Sequence, residues 1–236
     1  VISVPPNITD VEKRAVQESV YKTKARQVFL IEGPMAAAIG ALLPVVEPKG
    51  NMVVDIGGGT TKVAVISLAG IVCSQSVRVG GNKLDETILN YIKRRYNLLI
   101  GQDSAEQIKI SIGSAYPGEH DGLEMEVRGR DSVEGRPSSI RIEAKEIRNA
   151  IGDDIKNIVH TVRAALEKTP PDLAADIIDS GIVLTGGGAL LRGLAQLISQ
   201  DVSLPVHVAE DPQYTVAKGA GMILDDLDLL KRAALE

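Results

Sequence analysis

Between two apolar, strand-like runs, Val53-Val54 and Val63-Ala64-Val65, the sequence sets Asp55, the glycines Gly57, Gly58 and Gly59, and the hydroxyls of Thr60 and Thr61. Glycine has no Cβ, so its backbone N–H groups can approach an anion closely, and successive N–H groups in a turn make a concave anion site. The chemistry this suits is a grip on phosphate. Asp55 would then face a metal ion or water, because a bare carboxylate repels phosphate. Residues Lys62 to Ile66 read as a strand, which separates the motif from the lysine-bearing phosphate loop that opens a helix. Taken alone, the same residues also fit a tight glycine hairpin with no ligand.

A second glycine loop lies far down the chain. Ile182 to Thr185 reads as a buried strand, Gly186-Gly187-Gly188 as a turn, and Ala189 to Gln200 as a helix. A helix N-terminus offers unpaired N–H donors and a positive dipole end, which suits the phosphate or sugar side of a nucleotide. Close packing of a helix on a strand also calls for glycine. Two such loops, each after an apolar strand, make coincidence the weaker explanation.

The elements that must position these loops follow from periodicity and caps. The 236 residues are 44% apolar and 24% charged, the composition of a globular chain able to bury a large core. The net charge of -5 argues against non-specific nucleic-acid binding, which needs a basic surface. The single Cys73 lies in an apolar run and reads as a buried structural thiol in a reducing setting; His120, His160 and His207 lack ligand spacing. No run approaches the roughly 18 apolar residues of a bilayer-crossing helix. The chain begins Val1-Ile2-Ser3-Val4 without methionine, inside what reads as a core strand, so upstream residues are expected.

Thr9 and Glu12 form a capping box for a helix to about Ala25. A strand at Val28 to Ile31 precedes a small-residue helix with Pro34 in its first turn, and Pro44, Pro48 and Gly50 mark a hinge or linker. After the glycine hairpin come a strand near Ile71 to Val79, a helix from Lys83 to Tyr96, and a helix from Ser104 with Gln107 as its box partner. The alternation Leu123 to Arg128 and Ile140 to Ile142 predicts an antiparallel pair. A core helix follows at Ala144 to Lys168 and, after a strand at Val206 to Val208, a long amphipathic helix at Tyr214 to Ala234. This order predicts an α/β fold, a mixed sheet flanked by helices with an inserted β pair.

At Pro34 to Gly40, Asp55 to Thr61, Gly80-Gly81 through Asp85 and Leu184 to Leu191, the chain closely resembles the MreB family, the bacterial actins that determine rod shape. The likeness runs nearly end to end, through Leu166 to Pro171 and Val216 to Gly221. It implies the fold of actin, Hsp70 and the sugar kinases: two lobes on RNase H-like sheets that close on ATP and Mg2+, with a small inserted α+β subdomain. By that resemblance, residues 1–48 belong to the first lobe, 49–101 and 143–211 to the core of the second, 102–142 to the insertion, and 212–236 to a C-terminal helix on the first lobe. The family's other phosphate hairpin and its membrane-binding segment would lie upstream, so the residues given would bind ATP weakly or not at all by themselves.

The resemblance assigns Gly57, Gly58, Gly59, Thr60 and Thr61 to phosphate contact and Asp55 to the magnesium-water shell. Glu106 and Lys109 would flank ribose and adenine, although an ordinary i,i+3 surface pair explains them too. Gly186, Gly187, Gly188 and Ala189 would close the nucleoside side. The family's catalytic acid immediately before the proline is replaced by Gly33; Glu32 stands one residue early, and Thr60 remains as a water ligand. The implied protein binds ATP, polymerises with itself into filaments, and organises the cell-wall elongation machinery, peripherally at the cytoplasmic face of the membrane. A hydrolysis-impaired scaffold, or an Hsp70-like or sugar-kinase-like ATPase, is the alternative.

Overall fold

The structure, a computed structural model, describes residues 1–6 and 8–235. The chain opens with β1 (Ile2–Val4), α1 (Asp10–Tyr21), β2 (Leu30–Glu32) and α2 (Gly33–Gly40). Three consecutive strands follow, β3 (Asn51–Ile56), β4 (Thr61–Ser67) and β5 (Gly70–Val77), then α3 (Gly81–Tyr96), β6 (Leu98–Leu99) and α4 (Gln102–Ile112). The hairpin β7 (Glu124–Asp131) and β8 (Pro137–Glu143) leads into α5 (Ala144–Glu167) and α6 (Pro171–Ser180). The order ends with β9 (Ile182–Thr185), α7 (Leu194–Val202), β10 (Val206–Val208), α8 (Thr215–Asp225), α9 (Leu227–Ala233) and β11 (Ala234–Leu235).

The central sheet has the order β10-β9-β3-β4-β5. β3, β4 and β5 pair antiparallel, whereas β9 adds to β3 and β10 to β9 in parallel. This mixed sheet has the RNase H-like arrangement. Because side chains alternate across a strand, its two faces enter different cores. Met52, Val54 and Ile56 of β3 join Val63 and Val65 of β4 in a core with Ile88 of α3 and Ile151 and Ile155 of α5. Val53, Ala64 and Ile66 face the other way, against Met35 to Ile39 of α2 and Ile223 of α8.

α2 and α8 cross with their backbones almost touching. A Cβ on Gly40 would stand 1.8 Å from the Thr215 carbonyl oxygen, and one on Gly219 would stand 1.9 Å from that of Ala36. Only glycine fits either point, so the small-residue run of α2 serves this crossing. β1, β2 and β11 form a separate three-stranded sheet over Val4, Val28 and Leu30, onto which Val16 and Val20 of α1 pack. The Thr9–Glu12 capping box is present at the start of α1.

The anticipated antiparallel pair is β7–β8, with Met125 opposite Ile142 and Val127 opposite Ile140. The two-residue β6, which carries no sequence signal, adds to its edge. Other boundaries differ from the periodicity. No helix runs from Ala189 to Gln200: a 3-10 turn spans Gly187–Leu190 and α7 starts only at Leu194. The cause is Gly193, at φ +73°, where a Cβ would stand 2.6 Å from the Tyr116 Cβ. The last helix is also broken, because the Asp226 carboxylate leaves the helical path to accept from the Asp228 and Leu229 amides and caps α9. α4 starts at Gln102 behind Gly101, so Ser104 sits inside its first turn rather than at a cap.

The Pro44 to Gly50 connection is tied at several points. The Ala69 amide donates to the Val45 carbonyl at 2.7 Å, and the Gly50 amide donates to the Asp176 carboxylate at 2.7 Å.

Candidate functional site

The β3–β4 turn is closed by the Gly57 amide donating to the Thr60 carbonyl at 2.9 Å. Its outer carbonyls then seat the next helix: Gly57 O accepts from the Gly81 amide at 3.0 Å and Gly58 O from the Asn82 amide at 2.8 Å. A Cβ on Gly80 would fall 2.4 Å from Gly57 O, which explains glycine there. Gly58 and Gly59 are the exposed tip of this turn. Thr61 does not join them. It is fully buried, and its hydroxyl donates to the Val79 carbonyl at 2.8 Å, so it fastens the strand that leads to α3.

The second glycine loop lies directly beside the first because β9 pairs in parallel with β3, placing Thr185 opposite Asp55. At Gly186, φ is +79° and a Cβ would stand 2.4 Å from the Ile56 carbonyl oxygen and 2.8 Å from Asp55 Oδ1. A Cβ on Gly188 would stand 2.2 Å from Ile56 Cγ2. Both glycines let the loop cross the end of β3 by backbone contact, with the Gly186 amide held by Pro212 O at 2.7 Å. Buried Ala189 packs below the loop. The two loops thus converge at the carboxyl ends of two parallel strands, where open α/β sheets hold their ligands.

Between them opens a cavity of about 540 Å3. It is lined by Gly57 and Gly58 of the hairpin, Gly81 and Asn82 of α3, Glu106 and Lys109 of α4, and Gly187 and Gly188. Its size lies within the range of small-molecule and cofactor sites. Leu191, Arg192 and Gln213 also line it; Leu191 ends a stretch that carries the family resemblance, whereas Arg192 and Gln213 carry no local pattern that the sequence could have advertised. Asp55, Gly59, Thr60, Thr61, Gly186, Ala189 and Glu32 are outside its lining.

Glu106 and Lys109 do not pair with each other. The Lys109 ammonium lies 2.8 Å from Asp85 Oδ1 and donates to Asp85 Oδ2 at 2.9 Å and to Gly81 O at 3.2 Å. This largely buried ion pair ties α4 to the first turn of α3 under the cavity. Glu106 is exposed at the cavity's edge. Asp85, the end of one stretch that carries the family resemblance, is the anchor of the lysine.

Asp55 occupies the other side of the hairpin. Its side chain shares a strand face with Val53, so it points toward α2. Burial pushes its carboxyl above the usual carboxylate range, against the opposing pull of the Lys62 charge and a hydrogen bond from Thr185. Among the described residues there is no cluster of three or more His, Cys, Asp or Glu side chains that could hold a metal ion. A single carboxylate beside a phosphate site suits Mg2+, which keeps most of its waters. Glu32 is the N-cap residue of α2 and makes no side-chain cap bond. Gly33 begins that helix, and a Cβ on it would meet Ser3 Oγ at 3.2 Å and Lys62 Nζ at 3.3 Å.

Residues 1–232 match the family model described as MreB/Mbl protein. The cell shape-determining protein MreB of Escherichia coli K12 is 54% identical over 228 residues, which are 97% of this chain and 65% of that protein. The chain therefore spans about two thirds of the length of this relative. MreB5 of Spiroplasma citri bound to ADP superposes with a TM-score of 0.91 at 36% identity, covering 97% of this chain and 69% of that one. The same protein bound to AMPPNP gives 0.91 at 37% identity, covering 96% and 68%. A MamK double helical filament shares the fold, with a TM-score of 0.79 at 21% identity, covering 95% and 68%. The architecture is thus the actin-like fold.

Proposed function

The chain belongs to the MreB/Mbl family of cell shape-determining, actin-like proteins, and on that premise we propose that it is part of an ATP-binding protein that polymerises into filaments. In this proposal the filaments lie at the inner face of the cell membrane and organise the cell-wall elongation machinery that maintains rod shape. The observation that carries the nucleotide part is the convergence of the two glycine loops on one cavity. The loops fit the group: Gly58 and Gly59 are exposed at the hairpin tip, Gly59 with no side chain over it and Gly58 with only Asn82 alongside, and Asp55 is a desolvated carboxylate on the other side of the hairpin. Crystals of S. citri MreB5 with ADP and AMPPNP support the same reading.

Gly57, Gly58, Gly59 and Thr60 would hold the phosphates, and Glu106, Gly187 and Gly188 would border the nucleoside. Lys109 acts indirectly, by fixing Gly81 and α3. Asp55 would hold the water shell of Mg2+, which neutralises phosphate charge when bound. Thr60 and Glu32 are the candidates for orienting water, and Gly33 supplies no side chain where the family places its acid. A second reading, a filament that hydrolyses ATP poorly, is favoured by that position.

The test is sedimentation and electron microscopy of the full-length protein with ATP and with a nonhydrolysable analogue, alongside phosphate release. ATP-dependent filaments are expected, with slow release. Absence of filaments with either nucleotide would overturn the proposal, and filaments without any release would select the second reading.

A further inference from the structure

A second cavity, of about 470 Å3, opens where the segment after α4 meets the start of α7. Among the described residues it shares only Arg192 with the lining of the cavity between the glycine loops. Ser114, Tyr116, His120, Gly193 and Gln196 also line it, and its described lining contains no carboxylate. Backbone contacts fix its wall: the Ala115 amide donates to the Arg192 carbonyl at 2.7 Å, and Ser114 pairs with Arg192 in a parallel bridge. Three kinds of donor meet there. Gly193 caps the nine-residue α7 without a side-chain bond; the Leu194 and Leu197 amides find backbone acceptors, whereas those of Ala195 and Gln196 have none among the described residues. The half-buried Arg192 guanidinium donates to the Ser111 carbonyl and has no carboxylate partner among them. Ser114 is only 3% exposed, and its hydroxyl has no hydrogen-bond partner among the described residues. A buried hydroxyl left unpaired is costly, so this one is available to a group that a ligand brings.

We propose that this cavity is a second ligand site, separate from the nucleotide cavity, for a molecule that carries a phosphomonoester. Free amides and the dipole at a helix N-terminus suit an oxyanion, the guanidinium adds charge-assisted hydrogen bonds in a fixed fork, and the Ser114 hydroxyl donates to a remaining oxygen. The cavity is larger than a bare phosphate and lies within the range of small-molecule sites, so Tyr116, His120 and Gln196 border the organic part. A soluble sugar phosphate and a lipid headgroup present the same chemistry.

The test is calorimetric titration of the full-length protein, held in excess ADP and Mg2+ to fill the glycine-loop cavity, with inorganic phosphate, glucose 6-phosphate and vesicles containing phosphatidic acid. The same titrations are run on Ser114→Ala, Gln196→Glu and Gln196→Lys, none of which touches the lining of the nucleotide cavity. Ser114→Ala is expected to weaken binding about tenfold, the loss of one hydrogen bond to a charged group, and to leave the ligand-free melting temperature unlowered, because the hydroxyl makes no bond in the fold. Gln196 is exposed at the first turn of α7, so its two charged variants fold and should shift affinity about fivefold in opposite directions, Glu weaker and Lys tighter. They decide the matter if Ser114→Ala unfolds. Variant-sensitive binding of glucose 6-phosphate supports a soluble ligand, and variant-sensitive binding of the vesicles alone supports a lipid headgroup. Binding that the Gln196 variants leave unchanged lies elsewhere on the protein and overturns the site, as does failure of all three probes to bind. Failure of ADP to bind would count against the nucleotide reading alone.

Discussion

Asp55 is held in a place that a carboxylate does not choose for itself. Burial raises its proton affinity in the fold, so between the ordinary carboxylate value of about 4 and the raised one the folded chain keeps a proton that the unfolded chain has released. Stability is then fully present at low pH and falls as pH rises through the raised value. Asp55→Asn is therefore expected to raise the melting temperature of the nucleotide-free protein at neutral pH, with the gain vanishing toward pH of about 4; a variant no more stable than its parent at neutral pH would refute this. Gly33 and Lys62 are neighbours in space. A glutamate at 33 would meet the Lys62 ammonium, so Gly33→Glu should raise phosphate release more strongly in a Lys62→Met background than alone. A strictly additive double-mutant cycle would show the two positions to be independent. The glycine turn after β9 was legible in the sequence because Gly186 and Gly188 report close approach to the end of β3. The partnership of Lys109 with Asp85 was not, since a lysine finds a carboxylate 24 positions away only once two helices are packed.

Among the elements, the crossing of α2 and α8 and the seam between α3 and α5 carry separate consequences. Gly219→Ala would drive a methyl group into the Ala36 carbonyl and should cost about 1–3 kcal/mol, the range for overpacking, as a lower urea midpoint. Unchanged stability would mean that the helices separate freely. At the α3–α5 seam, the Tyr91 and Tyr96 hydroxyls both donate to Glu146 Oε2, at 2.9 and 2.6 Å, and burial followed by that carboxylate pushes the Tyr96 phenol up to about 12. Glu146→Ala should destabilise by about 1–3 kcal/mol, because two partly buried donors lose their acceptor, and should lower the Tyr96 titration in a spectrophotometric scan. Strands and long helices were legible because they repeat every 2 or 3.6 residues. The breaks at Gly193 and Asp226 were not: the first is imposed by the distant Tyr116, and the second by a local cap that competes with an otherwise unbroken apolar stripe.

At the scale of the molecule, the two loops that border the cavity enter from opposite parts of the sequence and are joined only by the parallel pairing of β3 with β9. Nucleotide bound between them should stabilise the folded state by mass action, about 2.7 kcal/mol at a hundredfold excess over Kd. A melting temperature of the full-length protein that does not respond to ATP and Mg2+ would contradict this. Which strands become neighbours was not readable through periodicity, since no local pattern records it. The alternation of β3 carries a final implication. Met52, Val54 and Ile56 go to one core while Val53 and Asp55 go to the other side, so slipping the β3–β4 pairing by one residue would bury the carboxylate among isoleucines and strand apolar side chains at the cleft. A chain that misaligns this hairpin forfeits its core along with its site. Folding therefore acts as proofreading, and copies that look native but carry a scrambled site should not accumulate.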